Sequence, residues 1–241
     1  MTARRYARSG IVERLRQFCR MADFLLLLAA LRLRGLLPAM TGLRRIALVE
    51  LGPGPTRLAT LKRRIFAQVI FLDQSDFSMP DPGLRIANFE EMKDAGQMLR
   101  GWCGLDPALP ALFFADHCLE HISQEKLLPF LRSLAASGHA ACFRVPNTLS
   151  ARGRLSFQRD ATHRTAFEPG LRGRLEAMGF RIFPWLRWYR PRLLMQAILQ
   201  RDAMGQAEEI AISVAAVCAT NKDGLRIPTA PVLADSSRLK S

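Results

Sequence analysis

The chain has 241 residues, 49% of them hydrophobic and 23% charged. That length suits one domain with terminal extensions, and that composition excludes a disordered polymer. Lys and Arg outnumber Asp and Glu 35 to 21, so the net charge of +14 would attract an acidic substrate, anionic lipid or nucleic acid.

The excess is nearly all arginine and is spread along the chain without a long basic run, so nucleic acid is the less favoured partner. Cys19, Cys103, Cys118, Cys142 and Cys218 contain no C-x-x-C pair. This argues against a disulfide framework and a structural zinc site, and no metal is expected. A reduced, cytoplasmic setting fits best.

Ile11 to Leu37 reads as a Leu-, Ala- and Arg-rich helix, bent or split near Gly35 and Pro38. Its apolar stretch Phe24 to Leu31 is cut by Arg32 and Arg34, short of the roughly 20 residues that a bilayer requires. Packing on the domain or a dimer interface is the plain expectation. Peripheral membrane contact is the sharper alternative.

Arg45 to Leu51 is a continuous apolar run of the kind buried on both faces of a parallel sheet. A helix is expected over Thr56 to Phe66. Gln68 to Asp73 repeats the design of an apolar run closed by an acid, completing a β-α-β unit. Strands are then expected at Leu84 to Phe89, Ala111 to Ala115, Ala140 to Val145, Phe180 to Phe183 and Glu209 to Ala219. Helices are expected at Ser123 to Ser137, Leu171 to Met178 and Leu193 to Ala203. The alternation implies a doubly wound α/β domain with a mainly parallel sheet. Residues 1–43 read as a helical extension, 44–220 as the domain, and 221–241 as a tail without apolar periodicity.

Two features carry chemistry. Glu50-Leu51-Gly52-Pro53-Gly54-Pro55-Thr56 follows a strand and precedes a helix, and its glycines allow a tight turn close to a ligand. An ordinary strand-to-helix turn would use the same glycines. Arg57 stands where a dinucleotide fingerprint would place its third glycine, which counts against a pyrophosphate ligand. Asp73 ends the second strand, where a carboxylate can accept bonds from the cis hydroxyls of a ribose. Its alternative is a helix cap or turn. Together they point to an adenosine-containing ligand.

These residues resemble the class I S-adenosylmethionine-dependent methyltransferases. Glu50 to Gly54 is similar to that family's first motif and Phe71-Leu72-Asp73 to its second. Phe113 to Ile122, with Leu119-Glu120-His121, is similar to the fourth strand and its continuation in the small-molecule branch. Phe143 to Asn147 is similar to the fifth strand and its exit, and His163 through Gly179-Phe180 to the approach to the sixth.

The resemblance implies a seven-stranded sheet with its last strand antiparallel, S-adenosyl-L-methionine as cofactor, and methyl transfer to a small acceptor, most simply a hydroxyl. It further implies that Glu50, Gly52, Pro53, Gly54 and Thr56 surround the methionine part, with Glu50 near its ammonium. Asp73 would bind the ribose, and Gln74, Asn88 and Phe89 would lie about the adenine. Asp116, His117 and Cys118 would line the floor beside the methyl. Thr56 replaces the family's usual third glycine, Asn88 a common aspartate, and Ser137-Gly138-His139 a frequent proline-glycine-glycine.

An oxygen nucleophile usually needs a base, for which His163 and His121 are the candidates and His117 the third. His121 beside Glu120 also reads as a capping or packing pair. Trp185, Arg187 and Trp188 lie in an aromatic and basic stretch suited to stacking on an acidic or sugar-bearing acceptor. The same stretch also reads as a strand-to-helix connection with aromatics in the core. Two rival functions stand beside this one: a catalytically weakened scaffold and an RNA methyltransferase.

Overall fold

The apolar runs that end in an acid lie side by side. In the computed structural model β1 (Ala47–Leu51) pairs in parallel with β2 (Gln68–Asp73) on one side and β4 (Ala111–Asp116) on the other. β3 (Leu84–Ile86) flanks β2, and β5 (Ala140–Pro146) flanks β4, again in parallel. β7 (Glu209–Val214) runs antiparallel between β5 and β6 (Arg181–Trp185). The order is β3-β2-β1-β4-β5-β7-β6. The structure describes residues 10–33, 35, 37, 40–53, 58–73, 84–86, 104–106, 109–185 and 209–214.

Successive residues of each strand enter opposite cores, so a strand covered on both faces is apolar throughout. Val49, Leu51, Phe113 and Phe143 face α3 (Gln124–Ala136) and α5 (Pro169–Ala177), which contribute Phe130, Leu131, Leu171 and Leu175. Leu48, Phe71, Phe114 and Cys142 share the other core with α1 (Gly10–Leu33). Phe24, Leu27, Leu28 and Leu31 of α1 are buried there, at the spacing of one helical face. α1 therefore packs on its own sheet. It stops short of the expected Leu37 because Gly35 takes a left-handed conformation (φ +68°) and donates its N–H to Arg32 O at 2.9 Å. Among the described residues no helix is long and apolar enough to cross a membrane.

Several boundaries move. α2 spans Ala59–Ile65, beginning after Leu58 (φ 48°), later than the expected Thr56. β6 extends two residues past Phe183, to Trp185. α4 (Ala151–Gln158) was not among the expected helices; Gly153 is its buried residue, so no apolar period marks it. Its start is written in Ser150, whose Oγ accepts the Gly153 N–H at 2.9 Å. The expected helix over 193–203, the end of the third strand at 87–89 and the end of the last strand lie outside the described residues.

His139 offers a test of this frame. Its Nδ1 accepts the Ala111 N–H at 3.2 Å, and burial lowers its pKa. A histidine that resists protonation when folded costs stability as pH falls through 6.5, where the unfolded chain takes up the proton. The loss continues down to the folded pKa. We expect His139→Asn, which keeps an acceptor at the same place, to lose less stability between pH 7 and pH 5 than the parent. Denaturant midpoints at the two pH values measure this. The half-buried ring limits the effect to below about 1 kcal/mol.

Candidate active site

From β1 the chain crosses to β2, and from β4 it crosses the other way to β5, so a crevice opens where these two neighbours end. Four expected residues meet this end of the sheet: Glu50 and Gly52 at the end of β1, Asp116 from β4, and Asp73 from β2. Gly52 has φ +60°, and its N–H donates to Leu72 O at 2.8 Å. A Cβ there would stand 2.7 Å from Cys118 Sγ. The missing side chain thus admits Cys118 as well as the turn. Burial, with the charges of Glu120 and Asp73 adding to it, pushes the Cys118 thiol well up, so it packs and is no nucleophile.

A cavity of about 200 Å³ lies on the α1 side of the crevice. Arg20 and Phe24 of α1 wall it, facing Gly52 and Pro53 of the turn and Lys62 of α2. Glu50 also lines it, but carries a resident partner: Lys62 Nζ lies 2.5 Å from Glu50 Oε2. The Lys62 ammonium is further held 5.1 Å from the ring centre of Phe24 and 5.7 Å from that of Phe114. Burial raises the Glu50 pKa, and the Lys62 ammonium opposes this. Glu50, expected near a cofactor ammonium, holds a protein ammonium on its Oε2.

Arg144 of β5 closes the other wall, between Asp23 of α1 and Asp116, the latter at 2.5 Å. Burial opposes its charge, while Asp116, Glu209 and Asp23 hold the guanidinium protonated. Asp116 Oδ1 is buried and has no hydrogen-bond partner among the described residues. It is the acceptor left over on this wall.

His117 follows with a left-handed backbone (φ 55°). Its Nδ1 lies 3.0 Å from Glu120 Oε1 and its Nε2 2.9 Å from Glu209 Oε1. Both nitrogens must donate, so the ring is an imidazolium. Burial works against the charge, but the two carboxylates lift its pKa to about 10. His117 is thus no general base at neutral pH.

His121 and His163 come together, their rings 4.7 Å apart edge to face. They do not line the cavity; Glu120 stands between His163 and His117, the residue after the lining Asp116. His121 ends a short 3-10 turn (Leu119–His121) rather than starting a helix. Trp185 ends β6 at the sheet's edge, but its side chain lies outside the described residues, as do Gly54, Thr56, Gln74, Asn88, Phe89, Arg187 and Trp188.

Lys62, Arg144, Asp23 and Glu209 were missed in the sequence. Two carried a signal. Lys62 interrupts the stripe Leu58, Ile65 and Phe66, and Arg144 interrupts a strand buried on both faces. A charge in either place demands a partner.

No family model matches the sequence, and no curated protein matches it. Solved structures do. A SAM-dependent methyltransferase from Archaeoglobus fulgidus is 18% identical over 81% of this chain and 93% of its own, with a TM-score of 0.52. An S-adenosylmethionine-dependent methyltransferase from Mesorhizobium loti is 15% identical over 76% of this chain and 94% of its own (TM-score 0.46). A small RNA methyltransferase is 13% identical over 73% of this chain and 24% of its own (TM-score 0.45). The chain shares its fold with the S-adenosylmethionine-dependent methyltransferase of Archaeoglobus fulgidus.

Proposed function

We propose that the protein is an enzyme that transfers a methyl group from S-adenosylmethionine to a small acceptor, an oxygen nucleophile being the simplest. The observation that carries this reading is the cavity at the β1–β4 switch point, lined by Asp116, with Asp73 at the end of the neighbouring strand. The lining fits an amino acid with an attached ribonucleoside. Asp116 supplies an acceptor for its ammonium, now that Lys62 engages Glu50. Arg20, Lys62 and Arg144 line the same cavity beside Glu50 and Asp116 and bring N–H donors for a carboxylate. Asp73 at the end of β2 is the ribose ligand. Gly54, Thr56, Gln74, Asn88 and Phe89 complete the proposed cofactor site on the strength of the sequence resemblance.

When bound, the cofactor supplies an electrophilic methyl on sulfur. The chain's own part is alignment and exclusion of water. Trp185, Arg187 and Trp188 are proposed to hold the acceptor, and His163 and His121 to serve its hydroxyl.

Calorimetry with S-adenosylmethionine tests the reading. Asp73→Ala should weaken binding by about 1.5–3 kcal/mol, the loss of charge-assisted hydrogen bonds, without unfolding the domain. Unchanged affinity in the folded variant would remove Asp73 from the site. An absence of heat with the parent chain would favour the scaffold alternative.

A further inference from the structure

Beyond the cofactor cavity, Glu120, His121 and His163 converge so that one ligand atom from each lies within 4.8 Å of the others. The backbone builds this meeting. Glu120 O accepts the N–H groups of Arg164 and Thr165 at 2.7 and 3.0 Å, and the Thr165 hydroxyl donates to Ile122 O at 2.6 Å. These bonds pin the loop carrying His163 onto the turn carrying Glu120 and His121.

The protons can be placed. His163 Nδ1 lies 2.8 Å from Phe157 O, and a carbonyl only accepts, so Nδ1 donates and Nε2 is the atom that a neutral ring would offer to a ligand. His121 Nδ1 lies 2.8 Å from Thr162 Oγ1, whose own hydrogen goes to Asp160 Oδ1 at 2.6 Å. Thr162 therefore accepts from His121 Nδ1, and Nε2 is the atom that a neutral His121 would offer to a ligand. Glu120 is fully buried, and its Oε2 has no hydrogen-bond partner among the described residues. His163 Nε2 and Glu120 Oε1, at 3.8 Å, are too far apart for a hydrogen bond. One nitrogen of each histidine and a carboxylate oxygen of Glu120, whose Oε1 also takes His117 Nδ1 at 3.0 Å, thus converge without a hydrogen bond among the three.

We propose that Glu120, His121 and His163 bind one divalent metal ion. Two imidazoles and a carboxylate suit a borderline ion such as Zn²⁺, Mn²⁺ or Co²⁺ better than Mg²⁺ or Ca²⁺. Each histidine already donates its other ring N–H to a fixed acceptor, the arrangement that orients metal-bound imidazoles. Asp160 Oδ2 lies 3.9 Å from His163 Nε2, outside the cluster of three. Three protein ligands keep positions open for an acceptor oxygen. That role rests on the methyl-transfer reading. The ion would acidify the acceptor hydroxyl, whose proton leaves to water. The O–CH₃ bond then forms as the S–CH₃ bond breaks, and sulfur keeps the electron pair. The histidines would act through the ion instead of as free bases.

The test is a titration of the full chain, stripped by a chelator, with Co²⁺ alone. One equivalent should bind and develop d–d absorption, without the charge-transfer band that a thiolate ligand adds. His121→Asn should weaken binding at least tenfold, and the exposed Thr162→Val, which removes only the acceptor behind His121, about tenfold. No absorption change, or variants that titrate like the parent, would overturn the site. Calorimetry of the stripped chain with S-adenosylmethionine separates the two claims. Cofactor heat without Co²⁺ binding removes the metal and leaves the methyl-transfer reading. Co²⁺ binding without cofactor heat does the reverse.

Discussion

Replacing Leu27 and Leu31 together by alanine should cost about 4–8 kcal/mol, enough to unfold much of the population. Both side chains are buried, at 0% and 1% exposure, in the core shared by α1 and the sheet. Each truncation removes transfer free energy and leaves a cavity that Phe24, Phe66 and Phe114, already in ring contact, have little freedom to fill. The control is on the same helix: Leu26 and Leu33 are 46% and 88% exposed. The pair Leu26→Ala and Leu33→Ala should shift stability by less than about 1 kcal/mol. Denaturant midpoints measure both, and equal losses would mean that α1 does not dock through the face carrying Leu27 and Leu31.

Arg144→Met is expected to cost about 3–5 kcal/mol, because it strips the guanidinium from carboxylates that stay in place. Asp23 suffers most. Its side chain is 5% exposed, whereas that of Asp116 is 36% exposed and can turn toward water. Adding Asp23→Leu should therefore recover most of the loss, since an apolar pair replaces a buried charged one at little net cost. A double-mutant cycle in denaturant reads the coupling. If the second substitution adds to the first, the pair does not hold α1 to β5.

The strands were legible because a parallel sheet covered on both faces writes itself as short apolar runs, and Ala47–Leu51, Gln68–Asp73 and Ala111–Asp116 are such runs. The end of the sheet where Glu50, Asp73 and Asp116 gather was legible for the same reason, since strand ends fix it. Partnerships across distance were not. Nothing in the local sequence says that His117 is held by Glu209, 92 positions away, or Arg144 by Asp23, 121 positions away. The Gly52 turn was read correctly as tight, but only packing reveals that Cys118 fills the space beside it. The Glu50 motif likewise carries no sign of Lys62, which approaches its carboxylate from the next helix. His121 and His163 were each read as a base taken singly. Their shared orientation toward Glu120 depends on two backbone bonds that no spacing encodes.

One wall of the cavity is a helix held by the burial of a few side chains and by the Asp23–Arg144 ion pair, and that has a thermodynamic consequence. Arg20 and Phe24 touch the cavity, while Asp23 between them grips Arg144. Any occupant that contacts this wall binds the docked helix better than the undocked one, so occupancy and docking must strengthen each other by the same factor. A substitution on the outer core, at Leu27 or Leu31, would then loosen the occupant without touching it. Conversely, a saturating occupant would protect α1 from proteolysis and raise the unfolding temperature in proportion to the logarithm of its concentration. Release would be limited by how often the helix lifts, making residence time a property of α1 as much as of the cavity itself.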